Sequence, residues 1–413
     1  MAYKIEPECP QCGAPVEMDE LDRLLTCPYC EVRSYLYTRD YFRLVMPHNA
    51  PDRDLIYAPY LRFKGAVYYC QDTQVKYRLL DITNVGTELQ DLPFSLGFNT
   101  QVFKLKFITP ETEGSFLQFD LARDQILERA GKISTSYSSL PLYHSAFIGE
   151  TLSIVYLPMY VKNHQLFDAV VNRPIINLNN HINFSELTTR NPRWKLGLLP
   201  VICPGCGWDL NGAKDSSVLT CDNCNSAWSA VAGKFTKVDV RSLPGNGNNL
   251  KYLPFWKISA RAENGETVIG SFSDYIRQTG CFPEKDILAE WENKQMDFWI
   301  PAFKINPKIY LDLANRLTFS LQGSELLQKI PKGNVYPVTL PETEAAESIK
   351  IIYAHAVNNR YKKKVYPQLP DITFEPESTA LVYLPFTETA MEMIQQQSSV
   401  SFFKAALSVG RIM

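Results

Sequence analysis

Apolar positions along this chain fall mainly in short runs rich in aromatic and β-branched residues, broken by polar turns, which is the pattern of strands and not of long helices. Strands are predicted over residues 61–70, 75–82, 102–108, 152–161, 257–260 and 380–384. Helical signals are fewer: 121–130, 283–296 with its Pro-Glu-Lys-Asp start, 309–317 and 342–350. No stretch of about 18 apolar residues suggests a membrane span.

One landmark recurs among the strands, an aromatic residue followed two positions later by proline and then by more apolar residues. Tyr57-Ala58-Pro59-Tyr60-Leu61 and Tyr252-Leu253-Pro254-Phe255-Trp256 lie 195 positions apart. Further copies begin at Tyr156, Trp299 and Tyr383. Proline donates no ladder hydrogen bond and belongs at strand starts and edges, so a packing role is expected ahead of a ligand groove. The step from Tyr156 to Tyr383 is 227, which predicts a second half longer by about 33 residues, with the insertion near 320–350.

The cysteines repeat in step with these landmarks. Cys9, Cys12, Cys27 and Cys30 return as Cys203, Cys206, Cys221 and Cys224, each displaced by 194 positions. Two Cys-x-x-Cys knuckles fit a closed tetrahedral thiolate site for Zn2+, which has no geometric preference from its d electrons. Gly13 and Gly207 follow the first knuckle of each set, where positive φ is expected. Two structural zinc ions per chain are therefore predicted. Disulfide or redox chemistry is the competing reading. The opening residues carry no apolar leader, so a cytoplasmic setting is expected, where thiols favour metal. Cys70 and Cys281 stand outside both sets and read as core residues.

At 413 residues the chain should exceed a single core. The expected fold is α+β and β-rich, an internal duplication of a four-cysteine zinc ribbon followed by a β-rich lobe. The expected units are ribbon 1 over 1–45, lobe 1 over 46–196, ribbon 2 over 197–242 and lobe 2 over 243–413, with segments 46–51 and 243–249 joining each ribbon to its lobe. The lobes could swing on 191–197, although a second ribbon packed between them favours a rigid arrangement.

Charge narrows the function. The formal net charge is −2. Ribbon 1 carries four basic against eight acidic residues over 1–40, and ribbon 2 three against four over 197–240. Phosphate-backbone affinity comes mainly from Lys and Arg, so nucleic-acid binding through the ribbons is disfavoured. The run Arg360-Tyr361-Lys362-Lys363-Lys364 reads as a solvated loop, with an anionic headgroup, phosphate or acidic partner as the sharper alternative. No phosphate-cradling G-x-x-x-x-G-K-[ST] loop, G-x-S-x-G elbow or H-E-x-x-H helix occurs. His48, His144, His164, His181 and His355 have no metal-ligand spacing. No catalytic residue and no cofactor-binding residue other than the zinc ligands is predicted.

The two ribbons and the aromatic-proline segments near 57–61, 252–256, 299–303 and 383–386 resemble a loose family of bacterial tandem zinc-ribbon proteins, often labelled primosomal-helicase-like or transcription-factor-type. The helicase label does not suit a chain without a nucleotide-binding loop. The resemblance implies a non-catalytic cytosolic component, sometimes associated with membrane-stress or membrane-scaffold proteins. The expectation is thus a non-enzymatic zinc-stabilised scaffold or adaptor with protein partners, any membrane contact being peripheral. The alternatives are a nucleic-acid-binding regulator and an enzyme with an interlobe active site.

Overall fold

A computed structural model of the chain describes residues 4–50, 54–87, 89, 92–96, 104–119, 140–178, 188–189, 194–247, 249–264, 267–283 and 287–410. The fold is α+β and β-rich, and each half is built on a pair of long antiparallel strands. In the first half these are Ile56–Gln71 and Leu142–Lys162, with Gln74–Val85 on the free side of the former and Phe42–Val45 running parallel to the latter. In the second half Leu250–Asn264 and Thr373–Glu388 pair, with Asp297–Pro301 and Val240–Ser242 in the corresponding places.

The aromatic-proline landmarks explain this register. Tyr57 faces Pro158 and Pro59 faces Tyr156; in the second half Tyr252 faces Pro385 and Pro254 faces Tyr383. Each proline withholds a donor from the ladder but keeps its carbonyl. Pro59 O accepts from Gly86 N at 2.8 Å, and Pro254 O from Ala302 N at 3.0 Å. Tyr156 O likewise accepts from Met46 N, as Tyr383 O does from Leu243 N. Tyr57, Tyr156 and Tyr383 are buried, so these landmarks are core. The Trp299 copy has no aromatic-proline counterpart: Pro301 faces Phe255 where Val85 faces Tyr60.

The same registers locate the second half's additional length. The connection from Tyr60 to Val85 spans 25 residues and that from Phe255 to Pro301 spans 46. From Val85 to Tyr156 and from Pro301 to Tyr383 the spans are 71 and 82. Most of the extra chain therefore precedes Pro301, ahead of the 320–350 window that the sequence suggested.

Among the described residues, the helices lie in the second half. Pro307–Ser320 contains the predicted 309–317 segment, and 342–350 is divided into Glu342–Glu347 and Ile349–Ala356. The helix expected over 283–296 does not form: its described part holds one 3-10 turn, Ala289–Trp291, and the next strand begins at Asp297. The helix of this region is Phe272–Thr279, where Ser271 and Asp274 form a reciprocal capping box. Residues 121–130 lie outside the described residues.

Direct contacts tie the halves together. Strand Gly197–Pro200 pairs antiparallel with Arg33–Tyr37, which pairs with Leu24–Thr26, so the chain entering ribbon 2 completes the sheet of ribbon 1. Upstream of that strand, Trp194 stacks on Phe107 and donates to Thr38 Oγ1 at 3.0 Å. The far end of the lobe 1 hairpin packs into the lobe 2 core through Ala66, Tyr68, Cys70, Ala146 and Ile148. Tyr68 meets Tyr310 at 6.0 Å, and Gly149 N donates to Glu344 Oε2 at 2.6 Å.

Candidate metal centres

Each cysteine set converges as its spacing predicts. In the first cage Cys9 and Cys30 sulfurs lie 3.6 Å apart, as do those of Cys12 and Cys27. In the second, Cys203 and Cys224 are 3.6 Å apart and Cys206 and Cys221 3.5 Å. All four sulfurs of each set lie within 4.8 Å of one another. A tetrahedron with Zn–S bonds of about 2.3 Å has edges of about 3.8 Å, so both donor sets fit a structural Zn2+. Every cysteine is a free thiol, and these separations far exceed a disulfide bond of about 2.05 Å.

Tight turns shape the cages. Gly13 N donates to Cys9 O and Gly207 N to Cys203 O, both at 2.9 Å, with φ of 72° and 76°. A Cβ at either position would meet nothing within 4 Å, so the backbone conformation, not space, favours glycine. The second knuckles turn the same way through Glu31 and Asn225, at φ of 59° and 53°. Asparagine tolerates this region, a cue available in the sequence; glutamate gives none. The N–H of Cys12 directed at the Cys9 sulfur helps hold that thiol down to about 6. At Cys203 burial opposes the same shift, and the N–H of Gly205, the Ser226 hydroxyl and neighbouring donors outweigh it, again giving about 6. Neighbouring N–H groups also lower Cys27, and the Asn223 side chain with the Trp208 N–H lowers Cys206, so the thiolate needed for metal binding is favoured at two corners of each cage.

Opposite faces of the ribbon sheets have opposite partners, because successive strand residues alternate sides. Leu25, Leu36, Cys9 and Cys27 join the lobe 1 core. Leu24 and Tyr35 turn the other way and pack with Cys203, Leu219, Cys221 and Trp228 of ribbon 2. Arg23 N and Leu24 N both donate to Lys214 O, and the Tyr35 hydroxyl donates to Ser216 O. Val218 and Ala227, on the remaining face of ribbon 2, enter the lobe 2 core.

Among the described residues, two of the other candidate groups, Cys70 and His144, face one another across the lobe 1 hairpin. Cys70 is wholly buried and its thiol is pushed up to about 12 by burial; burial also raises Cys281. His144 sits opposite Cys70 on the lobe 1 hairpin, its Nε2 buried without a hydrogen-bond partner, and burial with the Lys350 charge lowers it to about 4. His48 and His164 are exposed, His355 lies 3.5 Å from Asp312, and His181 is outside the described residues. The basic run forms the short helix Lys362–Val365, with Lys362 over the Tyr366 ring.

Sequence reasoning missed the charges buried where ribbon 1 meets lobe 1. Arg62 donates to Glu20 Oε1 at 2.7 Å, both side chains almost fully buried, and also pairs with Asp81 at 3.0 Å. Nothing in the local sequence marks Arg62, which sits mid-strand in a largely apolar run that also holds Lys64. No protein-family model matches this chain, and no curated protein or solved structure matches it either. The likeness to bacterial tandem zinc-ribbon proteins therefore rests on the two cysteine clusters and the aromatic-proline segments.

Proposed function

We propose that the chain is a zinc-stabilised scaffold or adaptor, a non-catalytic protein in which two ribbons fix the relative placement of two lobes that present protein-binding surfaces. The observation that carries this reading is the position of the cages. Sulfurs of the first lie against lobe 1, sulfurs of the second lie against ribbon 1, and the far face of ribbon 2 enters lobe 2. Metal placed between units in this way serves their geometry, since four thiolates leave zinc no open position for substrate.

Exposed apolar side chains supply candidate contact points. Trp208 and Tyr29 project from the knuckles, and Met391 and Phe403 from lobe 2, each more than 60% exposed. No helix among the described residues is long and apolar enough to cross a membrane, so we assign any membrane-proximal role to a partner or to surface contact. The acidity of ribbon 1 argues against nucleic acid: Lys4 and Lys104 are paired with Glu6, Glu17 and Asp19.

The test is affinity capture of the zinc-loaded chain beside the double variant Met391→Asp, Phe403→Asp and the double variant Tyr29→Asp, Trp208→Asp. A stoichiometric protein partner lost in one variant, with two zinc ions retained, is the expected result. Capture of the same proteins by all three forms, or of none, would count against the scaffold reading.

A further inference from the structure

The four units meet around a cavity of about 630 Å³, continuous in its lining with a neighbouring recess of about 620 Å³. Ribbon 1 contributes Arg23, ribbon 2 Ser229, lobe 1 Thr151, and lobe 2 Trp256, Lys304 and Glu344. No unit could form this space alone. Its lining mixes charged and polar side chains with apolar ones, whereas the tight interlobe core beside it is apolar.

Two of the lining cations are unusual. Arg23 and Lys304 are deeply set, so that burial pushes both below their ordinary ranges, yet each keeps accessible surface towards the cavity. The Arg23 guanidinium lies 4.6 Å over the Phe42 ring, with Nη1 donating to Glu20 O and Asp22 O at 3.1 Å. A guanidinium has five donors in a fixed fork, so these bonds do not exhaust it. Lys304 is attracted chiefly by Glu344 and more weakly by Glu20, while Arg23 and Lys64 repel it. Glu344 in turn accepts the Gly149 N–H. Buried cations are costly unless paired: Glu20 and Asp22 attract Arg23 ahead of Glu344, and Glu344 attracts both cations, so the cavity presents two charged donors among neighbouring carboxylates. Arg39, Asp215 and Glu342 also line the cavity, so its charged lining holds three cations and three carboxylates.

We propose that this cavity is a binding site for a small acid anion, a carboxylate or a phosphate, anchored by Arg23 and Lys304. Ser229 and Thr151 offer hydroxyl donors beside the anion, and the Trp256 side chain supplies an apolar wall for the remainder of the ligand. Its own Nε1 is committed to Leu340 O at 2.9 Å, so that wall contributes surface and no donor.

The experiment uses the full zinc-loaded chain, titrated at constant ionic strength with inorganic phosphate and with succinate, chloride serving as the reference anion. Calorimetry and thermal unfolding should both show saturable binding of at least one of them. Lys304→Met should weaken it about tenfold or more, the scale of one charge-assisted hydrogen bond. Thr343→Trp, an exposed substitution at the mouth, should also weaken it while leaving both cations in place; it decides the matter if Lys304→Met fails to retain two zinc ions. Binding of phosphate alone or succinate alone supports the site and identifies its headgroup. No saturable response above chloride, or equal binding by wild type and Thr343→Trp, overturns it.

Discussion

Ribbon 1 and ribbon 2 carry the same cage at the same spacing and use the same face for different purposes. Leu25 and Leu219 are equivalent by the 194-residue displacement, yet Leu25 packs on lobe 1 while Leu219 packs on ribbon 1. Leu24 and Val218 are equivalent as well, and they meet ribbon 2 and lobe 2 respectively. The units therefore stack head to tail, lobe 1, ribbon 1, ribbon 2, lobe 2, with the hairpin of lobe 1 reaching across to lobe 2. A duplication with two-fold internal symmetry would have set like faces together. Here each cage is followed by an interface of its own, so loss of one metal should not have the same consequence as loss of the other.

The largest effect follows from breaking that difference at the metals. Structural zinc supplies roughly 10–16 kcal/mol in isolated zinc fingers. Cys221→Ser should remove one zinc and open the core shared with Leu24 and Tyr35, leaving the remaining zinc in ribbon 1 more accessible to a chelator. Cys27→Ser should remove one zinc and loosen ribbon 1 on lobe 1, with the second cage perturbed only through the opposite face of the sheet. Chelator release rates of the remaining metal measure this directly. Equal rates in the two variants would make the ribbons independent and sink the head-to-tail account.

Next in size is a pin that only the first half has. The displacement that relates the ribbons carries Glu20 to Lys214, and the strand landmarks carry Arg62 to Lys257, so the buried pair cannot recur. Lys257 instead meets Asp297 within its own sheet at 2.8 Å, in a partly exposed position. Removing one partner of a buried pair typically costs about 3–5 kcal/mol because the other charge is stranded. Arg62→Met should lose about that much in urea unfolding. Lys257→Met should lose about 1.5–3 kcal/mol, the range for a hydrogen bond to a charged group. Comparable losses would show that the pin has no special role in seating ribbon 1.

What the sequence revealed and what it withheld divide along physical lines. Metal ligands, knuckle turns and proline-marked strands are local, fixed by a few adjacent residues, and each had a readable signature. The cages and the β-rich α+β class follow from such signals. Face partnership is not local: Leu24 and Leu25 are the same residue type, and only the tertiary arrangement decides which meets ribbon 2. Arg62 and Lys304 were illegible for the same reason, since each lies between apolar residues and has charged neighbours on other units, Glu20 for Arg62 and Arg23, Lys64 and Glu20 for Lys304, as well as on its own. The 283–296 helix failed differently. Its Pro-Glu-Lys-Asp start is a one-sided signal, whereas the reciprocal cap at Ser271 and Asp274, about a dozen residues earlier, satisfies donors on both sides and starts the helix there.

The interlobe contact makes the first half the seat of a pH response. His144 is on the hairpin end that enters lobe 2, whereas the landmark displacement places Asp371 at the corresponding point of the second half. Burial, helped by Lys350, lowers His144 to about 4 from an ordinary value near 6.5. A base depressed in the folded state contributes stability above its unfolded pKa, and that contribution is lost as pH falls towards the folded value. Between pH 7 and pH 5 the loss should be about 2 kcal/mol. His144→Asn should flatten that part of the profile. A profile unchanged by the substitution would assign the acid sensitivity elsewhere.

The smallest expected effect tests the part of lobe 2 that has grown beyond its counterpart. Helix Phe272–Thr279 lies in the connection lengthened between Leu250–Asn264 and Asp297–Pro301. Ser271 Oγ accepts from Asp274 N at 3.1 Å, and Asp274 Oδ2 accepts from Ser271 N at 3.0 Å. The helix has only eight residues, too few to be stable through propensity alone, so it depends on its cap and on burying Phe272, Tyr275 and Ile276. Ser271→Ala should cost about 1 kcal/mol, as loss of a capping side chain usually does. Because this helix packs within lobe 2 and touches neither cage, zinc release should be unaltered. A change in zinc release from so remote a site would mean that lobe 2 and the ribbons unfold as one cooperative unit, and the comparison between halves would then have to be drawn in structure alone.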